Sequence, residues 1–586
     1  MKTLWVYQNR IKQLARKPSY GYALAAAGIL GVSTAIWSFM IARLQQGNAD
    51  QLADSFLLTS AETFKQAQFP AAHTQLLKWP IFWVLGTLHN APWALITVTM
   101  VLCSATVSVF AYLLFRIVRR AEVLAVLYLA LACVLVLVPA QVLDGVSSPL
   151  SMALITGRNV EYSLYIAVLV LLLPSARMHE WRRWSIAALL LMVLFASDQL
   201  FLMLSLGGAV AVLVCAYGWR RRLMVTTGAV WVAVSVFAWM LSQLLQWLLG
   251  YVTTITRVSA GPYGHATTFA EVHSAVAYGL KSLLLNFGVS LNAGWLGVLP
   301  ALLNVLLFGL AVYACGVTLR RMSQSTPQPD KAQMLSLLLA LSTLAAFVAY
   351  IVTDHPVVAD ARYLTIALFA GFVALATYGR TVRLKPKLLH GCSVVLFVGI
   401  VCGLVGVARH TNQTIANDPL RTRNERVVRA LTARHEQILV GDYWRVLPIK
   451  EQTQYASQQI LPLGSCLQPE QSLVSKVWDQ DLYTHSFAYL LPLQPYGTPF
   501  GRCSLQTVIF IYGRPTSVTR IAGSAHNPTE LLLFYNNGAA KLRGNETVPP
   551  RPVFGVPTEG TAKPTGSIIA PLADPSSSND PPSVIW

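Results

Sequence analysis

Eleven apolar stretches run through the first 408 residues of this chain, and the Lys and Arg of the short loops between them fall almost entirely on alternate sides. The spans read at 21–42, 91–115, 121–140, 160–174, 184–197, 200–218, 223–249, 295–319, 333–352, 362–379 and 388–408. Several are shorter than the ~20 residues of a straight crossing. Residues 1–20 carry Lys2, Arg10, Lys12, Arg16 and Lys17 and no acid, so the positive-inside rule puts the N-terminus in the cytoplasm. Alternation then places Arg116/Arg119/Arg120, Arg177/Arg182/Arg183, Arg220/Arg221/Arg222, Arg320/Arg321/Lys331 and Arg380/Arg383/Lys385/Lys387 on that same side. Within residues 1–408 the count is 21 cytoplasmic Lys and Arg against 7 on the other face. The expected fold is therefore a polytopic α-helical membrane protein of about 11 transmembrane helices, N-in and C-out. Residues 1–20 form its basic lead, 21–408 its membrane domain and 43–90 its first outer loop.

The chain is 54% hydrophobic, 12% charged and carries a net charge of +19. That excess is dispersed over short loops rather than gathered on a foldable surface, which excludes a nucleic-acid partner and makes anionic lipid the expected counter-charge. The basic lead shows no cleavage pattern, so span 1 reads as a retained signal anchor.

Beyond span 11, residues 409–586 hold 16 Lys and Arg against 13 Asp and Glu, an ordinary soluble balance. A small extracytoplasmic α/β domain is expected over 409–544. Its helix reads at Arg421 to Ile438, and its strands at Gln437–Val440, Gln458–Leu461, Ser486–Leu491, Val508–Tyr512 and Leu531–Phe534. A Pro- and Ser-rich disordered tail is expected over 545–586. Six of the eight cysteines lie in apolar spans and read as small buried hydrophobes. Cys466 and Cys503 lie in the outer domain, where a disulfide fits an oxidising compartment better than two free thiols. Asn412-Gln-Thr414 and Asn545-Glu-Thr547 match a glycosylation sequon too common to weigh.

Acids concentrate on the outer side: Asp50, Asp54, Glu62, Asp144, Glu161, Asp198, Glu271, Asp354 and Asp360, against Glu122, Glu180 and Asp330 inside. Asp50 and Asp54 share one face if their stretch is helical, and could serve as a general base and its polar orienter, or simply cap a surface helix. His73 precedes an apolar run from Lys78 to about Leu88, too short to span and suited to a re-entrant or interfacial helix. There Trp79 and Trp83 line an acyl-chain groove or join an aromatic belt. Arg158-Asn159-Val160-Glu161 at the mouth of span 4 offers a fork for a phosphate or sugar hydroxyl, or a self-neutralising pair. Asp198 is a hairpin residue or part of a polar cavity. Arg362-Tyr363 opens span 10 and could meet a lipid phosphate or anchor the interface.

No P-loop, dinucleotide fingerprint, nucleophile elbow or HExxH is present. Short inner loops leave no room for a nucleotide-binding domain, so a substrate must arrive through the lipid or from outside.

The arrangement resembles the GT-C class of integral-membrane glycosyltransferases. The likeness rests on the acidic first outer loop (Asp50, Asp54), His73 and Pro80 before a short apolar helix, Arg362-Tyr363-Leu364 opening a late span, and the C-terminal outer domain. It covers the whole chain in architecture and a few residues in detail. The resemblance implies transfer of a sugar from a polyprenyl-phosphate donor to an extracytoplasmic glycan, lipid or protein acceptor at the cell (inner) membrane. It also implies Asp54 or Asp50 as base, with His73, Lys78, Arg158, Glu161, Arg362 and Tyr363 around donor and lipid phosphate. The chain departs from the commoner pattern in carrying Asp50-x-x-x-Asp54 in place of adjacent acids. Metal dependence is left open. The alternative is a non-catalytic GT-C-like protein, such as a transporter, a flippase or an envelope-assembly subunit.

Overall fold

The computed structural model describes residues 18–44, 52, 68–88, 91–118, 120–136, 157–172, 179–256, 268–289, 294–324, 330–352, 358–381, 385–416, 419–452, 459–463, 482, 485–493, 504–523 and 529–539. Most of them are helical, and eight helices are long and apolar enough to cross a membrane. These are α1 (Pro18–Leu44), α3 (Pro92–Ile117), α7 (Leu200–Gly218), α8 (Arg222–Leu249), α10 (Gly294–Ser323), α11 (Lys331–Val352), α12 (Ile366–Thr381, preceded by a 3-10 segment Val358–Leu364) and α13 (Pro386–Ala416). The other three expected spans are the shorter helices α4 (Ala121–Leu135), α5 (Asn159–Leu172) and α6 (Glu180–Ser197). Among the described residues, eight of the eleven expected spans thus meet this measure and three fall short of it.

The physical reason is enclosure. All but two of the side chains of α4 are buried, against α1, α12, α10 and α13, so protein replaces the lipid that a longer helix would have to face. Lipid-length spans look different: α3 keeps Trp93, Val101, Tyr112 and Phe115 exposed along one side. A further helix, α9 (Phe269–Asn286), lies where the sequence reads as outer loop. A capping box at Thr268 and Glu271 starts it, and it packs on the 3-10 segment and α11.

Close helix approach relies on small residues. Gly208 of α7 leaves no room for a Cβ beside Ser342 of α11, and Gly371 of α12 accommodates Phe287. In α7 the turn Met203–Gly207 widens to π geometry. Its loosened carbonyls find outside donors: Ser342 Oγ donates to Leu204 O at 2.8 Å and Trp231 Nε1 to Ser205 O at 3.2 Å.

The helix ends sort into two sets that match the alternation read from sequence. At one end Arg380 pairs with Asp330 at 2.8 Å, Lys331 and Arg183 pair with Glu180 at 3.2 Å, Arg321 donates to Thr381, and Arg221 reaches Gln324 O. The opposite helix ends carry His73, Lys78, Arg158, Glu161, Asp198 and Tyr363.

After α13 come α14 (Pro419–Thr432) and a five-stranded sheet of order β4-β3-β5-β7-β6. Its strands are β3 (Ile438–Asp442), β4 (Gln459–Leu463), β5 (Phe487–Pro492), β6 (Ser517–Ile521) and β7 (Glu530–Tyr535). The first three are parallel, while β7 runs antiparallel to β5 and β6. Near-continuous apolar runs suit strands covered on both faces. Leu439, Leu490 and Leu532 face Val427, Leu431, Val446 and Leu447 on one side, and Val440, Tyr489 and Leu533 face Val508 and Ile511 on the other. The expected strand Val508–Tyr512 is instead a helix, Leu505–Tyr512. A short apolar run fits either state, and Ser504 decides it by capping Thr507 N at 3.0 Å. β6 was not anticipated. At the sheet's base Glu530, fully buried, receives Arg423 through both oxygens at 2.5 and 2.7 Å, with Arg445 3.6 Å away. Cys466, Cys503 and the 545–586 tail lie outside the described residues.

Candidate functional site

A short segment between α1 and α3 is fastened across one end of the helix bundle. Its strand β1 (Gln68–Pro70) pairs in parallel with β2 (Thr254–Thr256). The following residues are laid on the α6–α7 junction: Gln199 N donates to Ala72 O and Gln75 N to Ser197 O, both at 3.0 Å. Thr74 Oγ1 donates to Ala196 O at 2.7 Å, and Gln246 of α8 donates to Ala71 O at 2.9 Å and Ala196 O at 3.1 Å. Gln75 takes a positive φ of 52°, which turns the chain into the 3-10 turn Leu76–Lys78 and helix α2 (Trp79–Thr87). Residues 70–75 are thereby fixed by strand and backbone pairing together with the side chains of Thr74 and Gln246.

The fixed segment delivers two basic side chains to two acids. Lys78 is fully buried; its Nζ lies 3.2 Å from Glu161 Oε2, donates to Gln75 Oε1 at 3.1 Å and also donates to Gly157 O. Glu161, equally buried, takes Ser197 Oγ on its other oxygen at 3.1 Å. His73 Nε2 lies 3.5 Å from Asp198 Oδ2, the oxygen to which Arg158 Nε donates at 2.5 Å. Asp198 Oδ1 accepts from Leu200 N at 2.9 Å, so the carboxylate is held at the start of α7. The guanidiniums of Arg158 and Arg362 lie 5.0 and 5.3 Å from the Tyr363 ring centroid, a cation–π arrangement that brings span 10 to span 4.

Beneath this cluster the packing is aromatic. Tyr162, one turn below Arg158, meets Phe201 of α7 at 5.0 Å and Phe369 of α12 at 5.1 Å, and Phe369 meets Phe110 of α3 at 4.7 Å. Four helices are thus locked directly under the polar groups.

Electrostatics follow from burial and charge. Desolvation would raise the Asp198 carboxyl, but Arg158 and His73 outweigh it and hold the group below the ordinary carboxylate value. Burial pushes His73 down to about 3; Asp198 opposes this, while Arg158, Lys78 and Arg362 reinforce it. His73 is therefore neutral at physiological pH. The fork-shaped donors of Arg158 and Arg362 suit a phosphate or another compact anion.

Six of the residues chosen from sequence, His73, Lys78, Arg158, Glu161, Arg362 and Tyr363, come together here from three separate parts of the chain. Asp50 and Asp54 lie outside the described residues, but Leu52 between them is fully buried in the apolar cluster that holds Phe69, Trp79 and Phe82. Trp79 and Trp83 part company: Trp79 turns inward to stack on Phe69 at 4.7 Å, while Trp83 is 60% exposed. Sequence reasoning weighed Asp198 as a hairpin residue or part of a polar cavity without choosing it as a site residue, and gave no role to Gln75, Ser197, Gln246 or Tyr162. For Asp198 a signal existed, an acid wedged between two spans with almost no loop. Among the described residues no group of three His, Cys, Asp or Glu side chains is placed to hold a metal ion. No protein-family model matches this chain, and no curated protein matches it.

Proposed function

We propose that this protein is an integral-membrane glycosyltransferase of the GT-C kind, moving a sugar from a polyprenyl-phosphate donor to an extracytoplasmic glycan, lipid or protein. The reading sets the arginine-rich helix ends in the cytoplasm and the polar cluster, with the C-terminal sheet unit, on the outer side of the cell membrane. The observation that carries it is the meeting of Arg158, Arg362 and His73 at the bundle end, where a lipid-borne phosphate would reach their donors.

The chemistry follows from charge development. The acceptor hydroxyl oxygen attacks the anomeric carbon, its proton passes to the Asp54 or Asp50 carboxylate, and the bond from that carbon to the phosphate oxygen breaks with its electron pair leaving on the prenyl phosphate. Arg158 and Arg362 stabilise that leaving charge. Burial of Leu52 in the Trp79 cluster supports bringing the acidic stretch to this end of the bundle. Lys78, satisfied by Glu161, Gln75 and Gly157, acts on this reading by holding His73 and α2 in place rather than by gripping the donor.

A second reading, a GT-C-like scaffold or transporter without transferase chemistry, draws on the pairing of Arg158 with Asp198 and of Lys78 with Glu161. Transfer assays separate the two. Asp54→Asn or Asp50→Asn is expected to abolish transfer in protein that still folds; full activity in both variants removes the first outer loop from the mechanism.

A further inference from the structure

We propose that His73, seated on Asp198, is the general acid that protonates the leaving phosphate, and that donor binding loads it with that proton. The inference rests on the glycosyltransferase reading.

The geometry is that of an exchange. Asp198 Oδ2 is shared between Arg158 Nε at 2.5 Å and His73 Nε2 at 3.5 Å. With Arg158 on the carboxylate, His73 Nε2 is buried and makes no hydrogen bond. The ring is nonetheless 29% exposed, whereas the Asp198 side chain beside it is 2% exposed. His73 is thus placed to touch both a carboxylate inside and a ligand outside.

The groups facing the imidazole are Asp198 from the α6–α7 junction, Arg158 from the mouth of α5, Lys78 from the 3-10 turn and Arg362 from the segment before α12. Without an anion, the three cations and burial keep the ring neutral. A phosphate that draws Arg158 and Arg362 onto itself adds negative charge and frees Asp198 Oδ2 for the ring. One anion about 4 Å away in a protein-like dielectric lifts an imidazole by about three pKa units, which brings His73 into the physiological range.

The proton balance is complete. On binding, a solvent proton joins His73. In the transfer step the acceptor hydroxyl loses its proton to the first-loop carboxylate, and the bond between anomeric carbon and phosphate oxygen breaks. The leaving phosphate, which becomes a monoester with a second pKa near ~6, takes the proton from His73. Once the prenyl phosphate departs, neutral His73 and the empty donor site are restored together, and the first-loop carboxylate returns the acceptor's proton to solvent.

The experiment is calorimetric binding of farnesyl methyl phosphate, a diester that does not itself titrate in the range, to the full-length protein in detergent. Titrations near pH 5, about one unit below the raised value, in two buffers of different ionisation enthalpy give the protons taken up. Wild type is expected to take up close to one proton per diester bound, and His73→Gln to bind the diester with no uptake. Binding without uptake in wild type, or equal uptake in His73→Gln, overturns the assignment of His73 while leaving the phosphate site standing. No binding of the diester by folded wild type overturns the phosphate site and this proposal together.

Discussion

Lys78 and Glu161 form an ion pair with no solvent exposure on either side chain, so each depends on the other. Removing one partner of such a pair leaves an uncompensated buried charge and costs about 3–5 kcal/mol. Lys78→Met is therefore expected to lower the thermal midpoint of the detergent-solubilised protein strongly, and adding Glu161→Leu to recover most of the loss; a single variant as stable as wild type would show that the pair is not closed. His73 provides a pH signature. The unfolded ring takes up its proton near 6.5 and the folded ring at about 3, so between those values the unfolded state binds more protons. Stability contributed by His73 is level above 6.5 and falls as pH is lowered towards 3. His73→Gln should remove that part of the acid loss, as midpoints measured from pH 7.5 to 4.5 will reveal. At this scale the residues singled out from sequence for a local reason, Arg and His beside acids at span mouths, do meet in the fold, but their partners were not read. Arg158 and Glu161 read as a pair of neighbours along one helix. In the fold they diverge to Asp198 and Lys78, because residues 70–75 are pinned across the α6–α7 junction, a tertiary fact without a local pattern.

Among elements, long spans were legible because an apolar run of lipid length has few other uses. The helices α5 and α6 were legible as apolar and short, but the enclosure of α4 was not, since burial by neighbours is invisible to hydropathy. α9 was hidden in an outer loop because its apolar side chains are mixed with Glu271, His273 and Lys281. Its end depends on Gly288, at φ 70°, where a Cβ would lie 2.5 Å from Val134 O of the α4 end and 2.7 Å from Asn304 Nδ2. Asn304 also donates to Gly288 O at 3.0 Å. Gly288→Ala combines a left-handed strain with a backbone clash and is expected to cost more than about 1 kcal/mol, read as a lowered thermal midpoint; an unchanged midpoint would mean that the α9 end is not packed on α4. In the C-terminal unit, the strands β3, β4, β5 and β7 were read from their apolar runs. Val508–Tyr512 was read wrongly because the capping serine precedes a run equally suited to either state.

At the scale of the whole molecule, basic loops far apart in sequence meet through ion pairs at one set of helix ends, and the six site residues meet at another. Which end faces the cytoplasm is a matter for labelling. Ser323→Cys, at the arginine-rich end, should resist a membrane-impermeant maleimide in intact cells and react after lysis, while Arg421→Cys, in the first turns of α14, should react in intact cells; the reverse pattern would invert the orientation. The central claim is that the cationic cluster serves a prenyl-phosphate leaving group. Its most direct measurement is transfer of radiolabelled sugar from a panel of polyprenyl-phosphate sugars to envelope acceptors, in membranes carrying wild type or Arg362→Gln. The account predicts transfer from at least one donor by wild type, reduced about a hundredfold or more in Arg362→Gln, as removal of one donor to a developing anion does elsewhere. Folded wild-type protein that transfers from no donor, or transfer indifferent to Arg362, would contradict it.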